Sequence, residues 1–309
     1  MSEVIDLLAL CRVKGVSWHF VAREAQRPGG LADLLDGRST EQSPDAEESL
    51  KLLRAAFDEM PQHRAAVEAM IGKVRTQGIG LTTVLDDDYP VNLRVIDNLP
   101  PFLMYRGALR TDDAYSVAVV GTRKASQEGL AEARRLATGL AEAGVTVLSG
   151  LARGIDTAAH EAALAAGGRT IAVVGTGIWR TYPPENAGLA DRIAETGAVV
   201  SQFWPDTPPT SYSFPRRNVV MSGMGQGTAV VEATATSGAK MQARIALAHG
   251  KRVFLPTRLL GQSEWARRYL ERGRSSIEVR SVDDIVALLR TAQAIQAQSD
   301  QRRQLTLAL

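Results

Sequence analysis

Cations recur at matching places in this chain. Arg123 and Lys124 follow the apolar run 117–121, Arg153 follows 145–150, Arg180 follows 171–175, and Arg216 and Arg217 follow 199–203 after a proline-rich loop. A guanidinium is a planar, permanently charged fork matched to phosphate oxygens. Several brought to one place are chemistry for holding an anion. The densest stretch is Ser213-Phe214-Pro215-Arg216-Arg217-Asn218. Two adjacent guanidiniums at a helix start, behind an aromatic, fit a phosphate chain better than a small metabolite. Their alternative role is ion pairing with acidic helices.

Three further stretches carry candidate chemistry. In Gly121-Thr122-Arg123-Lys124, the glycine allows a tight strand exit and the amides of a helix start would face an anion. Neither the spaced three-glycine dinucleotide fingerprint nor a Walker loop is present, which weighs against nicotinamide and ATP. Ser149-Gly150-Leu151-Ala152-Arg153-Gly154-Ile155-Asp156 repeats the plan. Asp156 either caps a helix, fixes Arg153 or contacts ligand. His160 lies four residues on, on the same helical face, and a structural hydrogen bond is favoured over a base because no nucleophile accompanies it. Tyr182-Pro183-Pro184-Glu185-Asn186 is a rigid turn into a helix, with Tyr182 either stacking on a base or packing the turn.

The elements that must position these groups follow from the apolar pattern. Short Val-rich runs separated by helical stretches read as parallel strands buried on both faces. Right-handed crossovers bring every strand-to-helix loop to one sheet edge, where open α/β folds bind ligands. Helices are expected over 129–143, 152–166, 184–196, 214–224, 238–249, 263–272 and from 282 to about 297. The fold class expected is α/β: a mostly parallel sheet with helices on both faces, preceded by a small helical domain over 1–75. A connecting β segment covers 76–115, the main domain 116–290, and a polar, frayed tail 291–309.

Composition narrows the function classes. In 309 residues the net charge is only +2, so any positive field must come from local clustering. One cysteine excludes a disulfide framework and a four-cysteine zinc site, and fits a reducing cytoplasm. Four scattered histidines show no metal-ligand spacing. No cofactor, no metal and no membrane span are expected, and the start of the chain carries no signal-peptide pattern.

Val-Gly-Thr-Arg at 120–123, Ser-Gly-Leu-Ala-Arg-Gly-Ile-Asp at 149–156, Ala-Ala-His at 158–160, Tyr-Pro-Pro-Glu-Asn at 182–186 and Phe-Pro-Arg-Arg-Asn at 214–218 together resemble the DNA-processing protein A (DprA/Smf) family, over about 80–290. That resemblance implies an extended Rossmann-like domain, a helical module of the SAM or helix-hairpin-helix kind before it, and homodimerisation. It also implies a non-enzymatic, cytoplasmic role: single-stranded DNA binding and loading of the RecA recombinase in natural transformation. Carried over by that resemblance, Arg123 and the Phe214-to-Asn218 segment fall in the family's DNA-binding pocket; the full DNA- or phosphate-binding set expected is Gly121, Thr122, Arg123, Lys124, Gly150, Arg153, Gly154, Tyr182, Asn186, Phe214, Arg216, Arg217, Asn218 and Lys240. Several positions depart from the family pattern. Thr122 replaces a usual Ser, Gln202 a usual Glu, Ser237-Gly238-Ala239-Lys240-Met241-Gln242 a Ser-Gly-Ser-Leu-Ile-Thr stretch, and Pro256-Thr257-Arg258 a Pro-Gly turn. The winged-helix segment common in the family is not expected after residue 290.

A second reading is a nucleotide enzyme. Gly225-Gln226-Gly227-Thr228-Ala229-Val230-Val231-Glu232 is similar to the Gly-Gly-x-Gly-Thr-x-x-Glu signature of the Lonely Guy phosphoribohydrolases, with Glu232, one residue further from the threonine, taken for the carboxylate that helps cleave an N-glycosidic bond. The first glycine is replaced by Met224.

Overall fold

The computed structural model describes residues 2–273 and 275–307. Five helices come first: α1 (Ser2–Arg12), α2 (Trp18–Gln26), α3 (Gly30–Leu35), α4 (Pro44–Ala55) and α5 (Met60–Thr76). Ser17 and Ser43 start α2 and α4 by accepting from the amides of Phe20 and Ala46, and Pro44 sits in the first turn, where its missing N–H costs nothing. Two strands follow, β1 (Gly80–Thr83) and β2 (Phe102–Gly107).

Alternation then begins with β3 (Ser116–Val120), α6 (Gln127–Glu142), β4 (Thr146–Ser149), α7 (Ile155–Ala165), β5 (Thr170–Val173), α8 (Ala187–Thr196) and β6 (Ala198–Ser201). It continues through α9 (Ser213–Met224), β7 (Gly227–Val230), α10 (Gly238–Ala248), β8 (Arg252–Pro256), α11 (Thr257–Gln262), α12 (Glu264–Glu271) and β9 (Ser276–Val279). The chain closes with α13 (Val282–Val286) and α14 (Ala292–Leu307).

The nine strands of the described residues form one sheet in the order β1-β2-β6-β5-β4-β3-β7-β8-β9. From β6 to β9 every pairing is parallel, whereas β1–β2 and β2–β6 are antiparallel. The segment 76–115 thus extends the main sheet rather than standing apart from it. Strand order reverses at β3, whose neighbours are β4 and β7; this is the switch point at which doubly wound sheets open a crevice.

The parallel strands are buried on both faces, and β3 shows why. Val117 and Val119 pack with α6 and α7, while Ala118 and Val120 belong to the opposite core. That second core runs without a break into the N-terminal helices through Leu7, Phe20 and Phe102. Trp18 of α2 meets Phe102 of β2 tilted at 5.2 Å and Trp204 edge-on at 5.5 Å, so packed aromatics fasten the helical layer to the sheet.

The single helix expected from 282 to about 297 is two helices. Gln226 explains the break. Its side-chain oxygen accepts from the Arg290 amide at 2.8 Å and its amide nitrogen donates to the Arg290 carbonyl at 2.8 Å. Residue 290 is thereby tied to the start of β7 instead of an i−4 partner. Residues 292–307, expected as a frayed tail, are helical in α14, and 308–309 lie outside the described residues.

Candidate nucleic-acid interface

The loops after β3, β4 and β5 and the first turn of α9 enclose a small pocket at the carboxyl edge of the sheet. Arg123 lies over Phe214, with its guanidinium carbon 5.2 Å from the ring centre. Tyr182 packs against the same ring at 5.8 Å and stays 39% exposed, a large share for an aromatic. Arg123 has no carboxylate partner among the described residues, so its charge is available to a ligand. Arg153 is also on the rim, but it is ion-paired with Glu185, a pair open to water.

The floor is Arg217, which is 7% exposed. Its Nη1 donates to the carbonyls of Gly150 and Val173, and Nε donates to Asn218 Oδ1 at 3.0 Å. Burial lowers its pKa, the nearby Asp156 carboxylate raises it, and Arg123 lowers it again. Asp156 is raised by burial, against Arg217 and the amides of Gly150 and Ala152 that donate to it. Asp156 therefore fixes the β4 loop and accompanies Arg217, not Arg153. A Cβ on Gly150 would fall 1.9 Å from Arg217 Nη1, so only glycine lets the guanidinium reach the strand end. At Gly154, whose φ is +77°, a Cβ would fall 2.5 Å from the Thr122 carbonyl oxygen, so glycine lets the α7 start lie close to the β3 loop.

Not all the expected residues gather here. Asn186 is buried and its amide nitrogen donates to the Leu151 carbonyl and Thr157 Oγ1, while Asn218 Oδ1 accepts from Arg217; both brace the loops from within. Arg180 turns away to the Asp206 carbonyl. Arg216 stacks on the other side of α9, over Trp18 at 5.6 Å and Tyr212 at 5.3 Å. His160 is buried with Nδ1 2.7 Å from Thr170 Oγ1, and burial pushes its pKa down to about 3, so it is a structural, neutral imidazole.

Thr122, Lys124 and Lys240 line a different cleft, of about 470 Å³, beside the β3–β7 switch point. There the amides of the α6 start do face an anion, but it is the protein's own. Glu232 accepts from the Ser126 amide at 3.2 Å and from Ser126 Oγ at 2.6 Å, and Arg258 reaches it at 3.4 Å. Gly227 opens β7 at its opposite end, with Gly225 before it, and stands roughly 16 Å from Glu232 at about 3.3 Å per strand residue. The glycines of the Lonely Guy-like signature thus do not cradle this carboxylate. Sequence reasoning overlooked Ser126, although Ser before Gln-Glu-Gly is a helix-start signal, and marked Arg258 only as part of a departure from a Pro-Gly turn. It also overlooked Tyr212, whose neighbours in sequence gave no periodicity to read.

A doubly wound sheet whose carboxyl edge carries a guanidinium over an aromatic ring, above a buried arginine, defines a Rossmann-like fold with a cation-bearing edge. The chain belongs to the DNA recombination-mediator protein A family, whose model matches residues 80–290. It is 39% identical over 207 residues to the DNA processing protein DprA of Streptococcus pneumoniae, covering 66% of this chain and 72% of that one. To protein Smf of Escherichia coli it is 44% identical over 167 residues, 54% of this chain but 45% of the relative. Among solved structures, the pneumococcal DprA superposes with a TM-score of 0.74 at 30% identity, covering 91% of this chain and 96% of that one. DNA processing protein A from Helicobacter pylori, described as having a unique single-stranded DNA binding mode, gives 0.59 at 25% identity over 67% of this chain and 94% of that one.

Proposed function

We propose that this chain is a non-enzymatic single-stranded DNA binder, holding a strand by its phosphates at Arg123 and by base stacking at Tyr182 and Phe214. The observation that carries it is the Arg123–Phe214–Tyr182 stack: a charge without a carboxylate partner beside an exposed ring. Phosphate contacts fix a strand regardless of sequence, and each stacked base adds roughly 1–3 kcal/mol. Family membership supports the wider role: a cytoplasmic homodimer that protects incoming DNA and helps load the RecA recombinase during transformation and recombination.

Fluorescence anisotropy tests the reading. A long single-stranded oligonucleotide should bind tightly, with affinity falling steeply as salt rises, and mononucleotides should not displace it. Binding or hydrolysis of AMP without binding of the oligonucleotide would refute it and favour the cleft at Glu232 as a nucleotide site.

A further inference from the structure

The start of α9 separates two cation–aromatic stacks. On one side lies the pocket, with Arg123 on Phe214. On the other, Arg216 is held between the rings of Tyr212 and Trp18. Trp18 meets Trp204 edge-on at 5.5 Å, and Arg12 sits over Trp204 at 5.8 Å. Neither Arg12 nor Arg216 has a carboxylate partner among the described residues. Their charges rest on ring faces, which leaves the guanidinium edges free to donate to phosphate oxygens. Tyr212 is 70% exposed, the most open large apolar side chain of the chain's described residues, and it has Arg216 against only one part of its surface.

We infer that Tyr212, Arg216 and Arg12 form a second contact for single-stranded nucleic acid, carrying a strand from the pocket across the start of α9 onto the helical layer. The inference rests on the proposed pocket and lengthens it. The two stacks flank one helix about 10–12 Å in diameter. At about 3.4 Å per nucleotide, roughly three nucleotides cross that distance. The occupant is nucleic acid rather than an acidic peptide because the strip joins a base-sized exposed ring to cations spaced along it. A peptide carboxylate has no use for the ring face.

The full chain is titrated with labelled oligothymidylates of about 2 and about 20 nucleotides, the first shorter than the roughly three nucleotides that separate pocket and strip, the second long enough to reach both. The double variant Arg12→Gln/Arg216→Gln should weaken the longer oligonucleotide about tenfold and flatten its salt dependence by about 1.4, two single-strand phosphate contacts, while the shorter one binds as before. Tyr212→Ala, at an exposed position that leaves the fold intact, should weaken the longer one about fivefold with the salt slope unchanged, and Tyr212→Phe should restore it. Both variants binding the longer oligonucleotide as tightly as the parent, while Arg123→Ala loses it, would overturn the strip and leave the pocket standing. Loss of both lengths in Arg123→Ala alone, with equal loss for both lengths in Tyr212→Ala, would also overturn it, since the ring would then belong to the pocket. A parent chain that binds neither length removes the pocket and the strip together.

Discussion

Side chains that look alike in the sequence have separate fates in the structure. Arg216 and Arg217 are neighbours, yet one is stacked near the surface and the other is sealed beneath the pocket. Adjacent helical residues point about 100° apart, so only one of the pair can face the sheet. Arg123→Ala should weaken oligonucleotides of every sequence alike and flatten the salt slope by about 0.7, read by anisotropy at several salt concentrations. Arg217→Ala should act first on the fold. Removing it strands Asp156 and two carbonyls, at a cost of about 3–5 kcal/mol measurable by urea denaturation. His160 titrates at about 3 when folded, against an ordinary 6.5. The unfolded chain therefore takes up its proton first, and stability should fall as pH drops from 6.5 towards 3. His249, lowered to about 4 by burial, adds to the same loss. His160→Gln should shallow the pH dependence of denaturation midpoints by about one proton.

At the scale of elements, the apolar runs made the parallel strands and their crossover helices legible, because buried parallel strands carry little else. What could not be read was where side chains at the strand ends turn. Glu232 closes a strand in sequence but caps α6 in space, across 106 residues from Ser126. That contact depends on β3 and β7 being neighbours, which no local pattern encodes. Glu232→Ala should destabilise the chain by about 1–2 kcal/mol through lost support of the helix start, with oligonucleotide affinity unchanged. The gap between α13 and α14 was invisible for a similar reason, since the cause is a distant glutamine. Gln226→Ala should speed amide exchange around residue 290, followed by hydrogen–deuterium exchange.

Across the whole molecule, the sequence marked a helical layer, a connecting segment and a sheet, but not how they join. Strands β1 and β2 add antiparallel to the sheet, and Trp18, Phe102 and Trp204 interlock the helices with it. Tryptophans scattered at 18 and 204 carry no periodic signal of that contact. The shared core predicts a single calorimetric transition, with Trp18→Ala lowering its midpoint by an amount matching about 3–5 kcal/mol. The guanidinium beneath the pocket has a further consequence. Water is stripped from Arg217 while the chain folds, so in the proposed site a phosphate would meet a donor already dehydrated and held in place, with Asp156 offsetting part of its charge. Such a site should discriminate little between bases yet hold its geometry from one strand to the next, a fixed magnet under an adaptable aromatic lip.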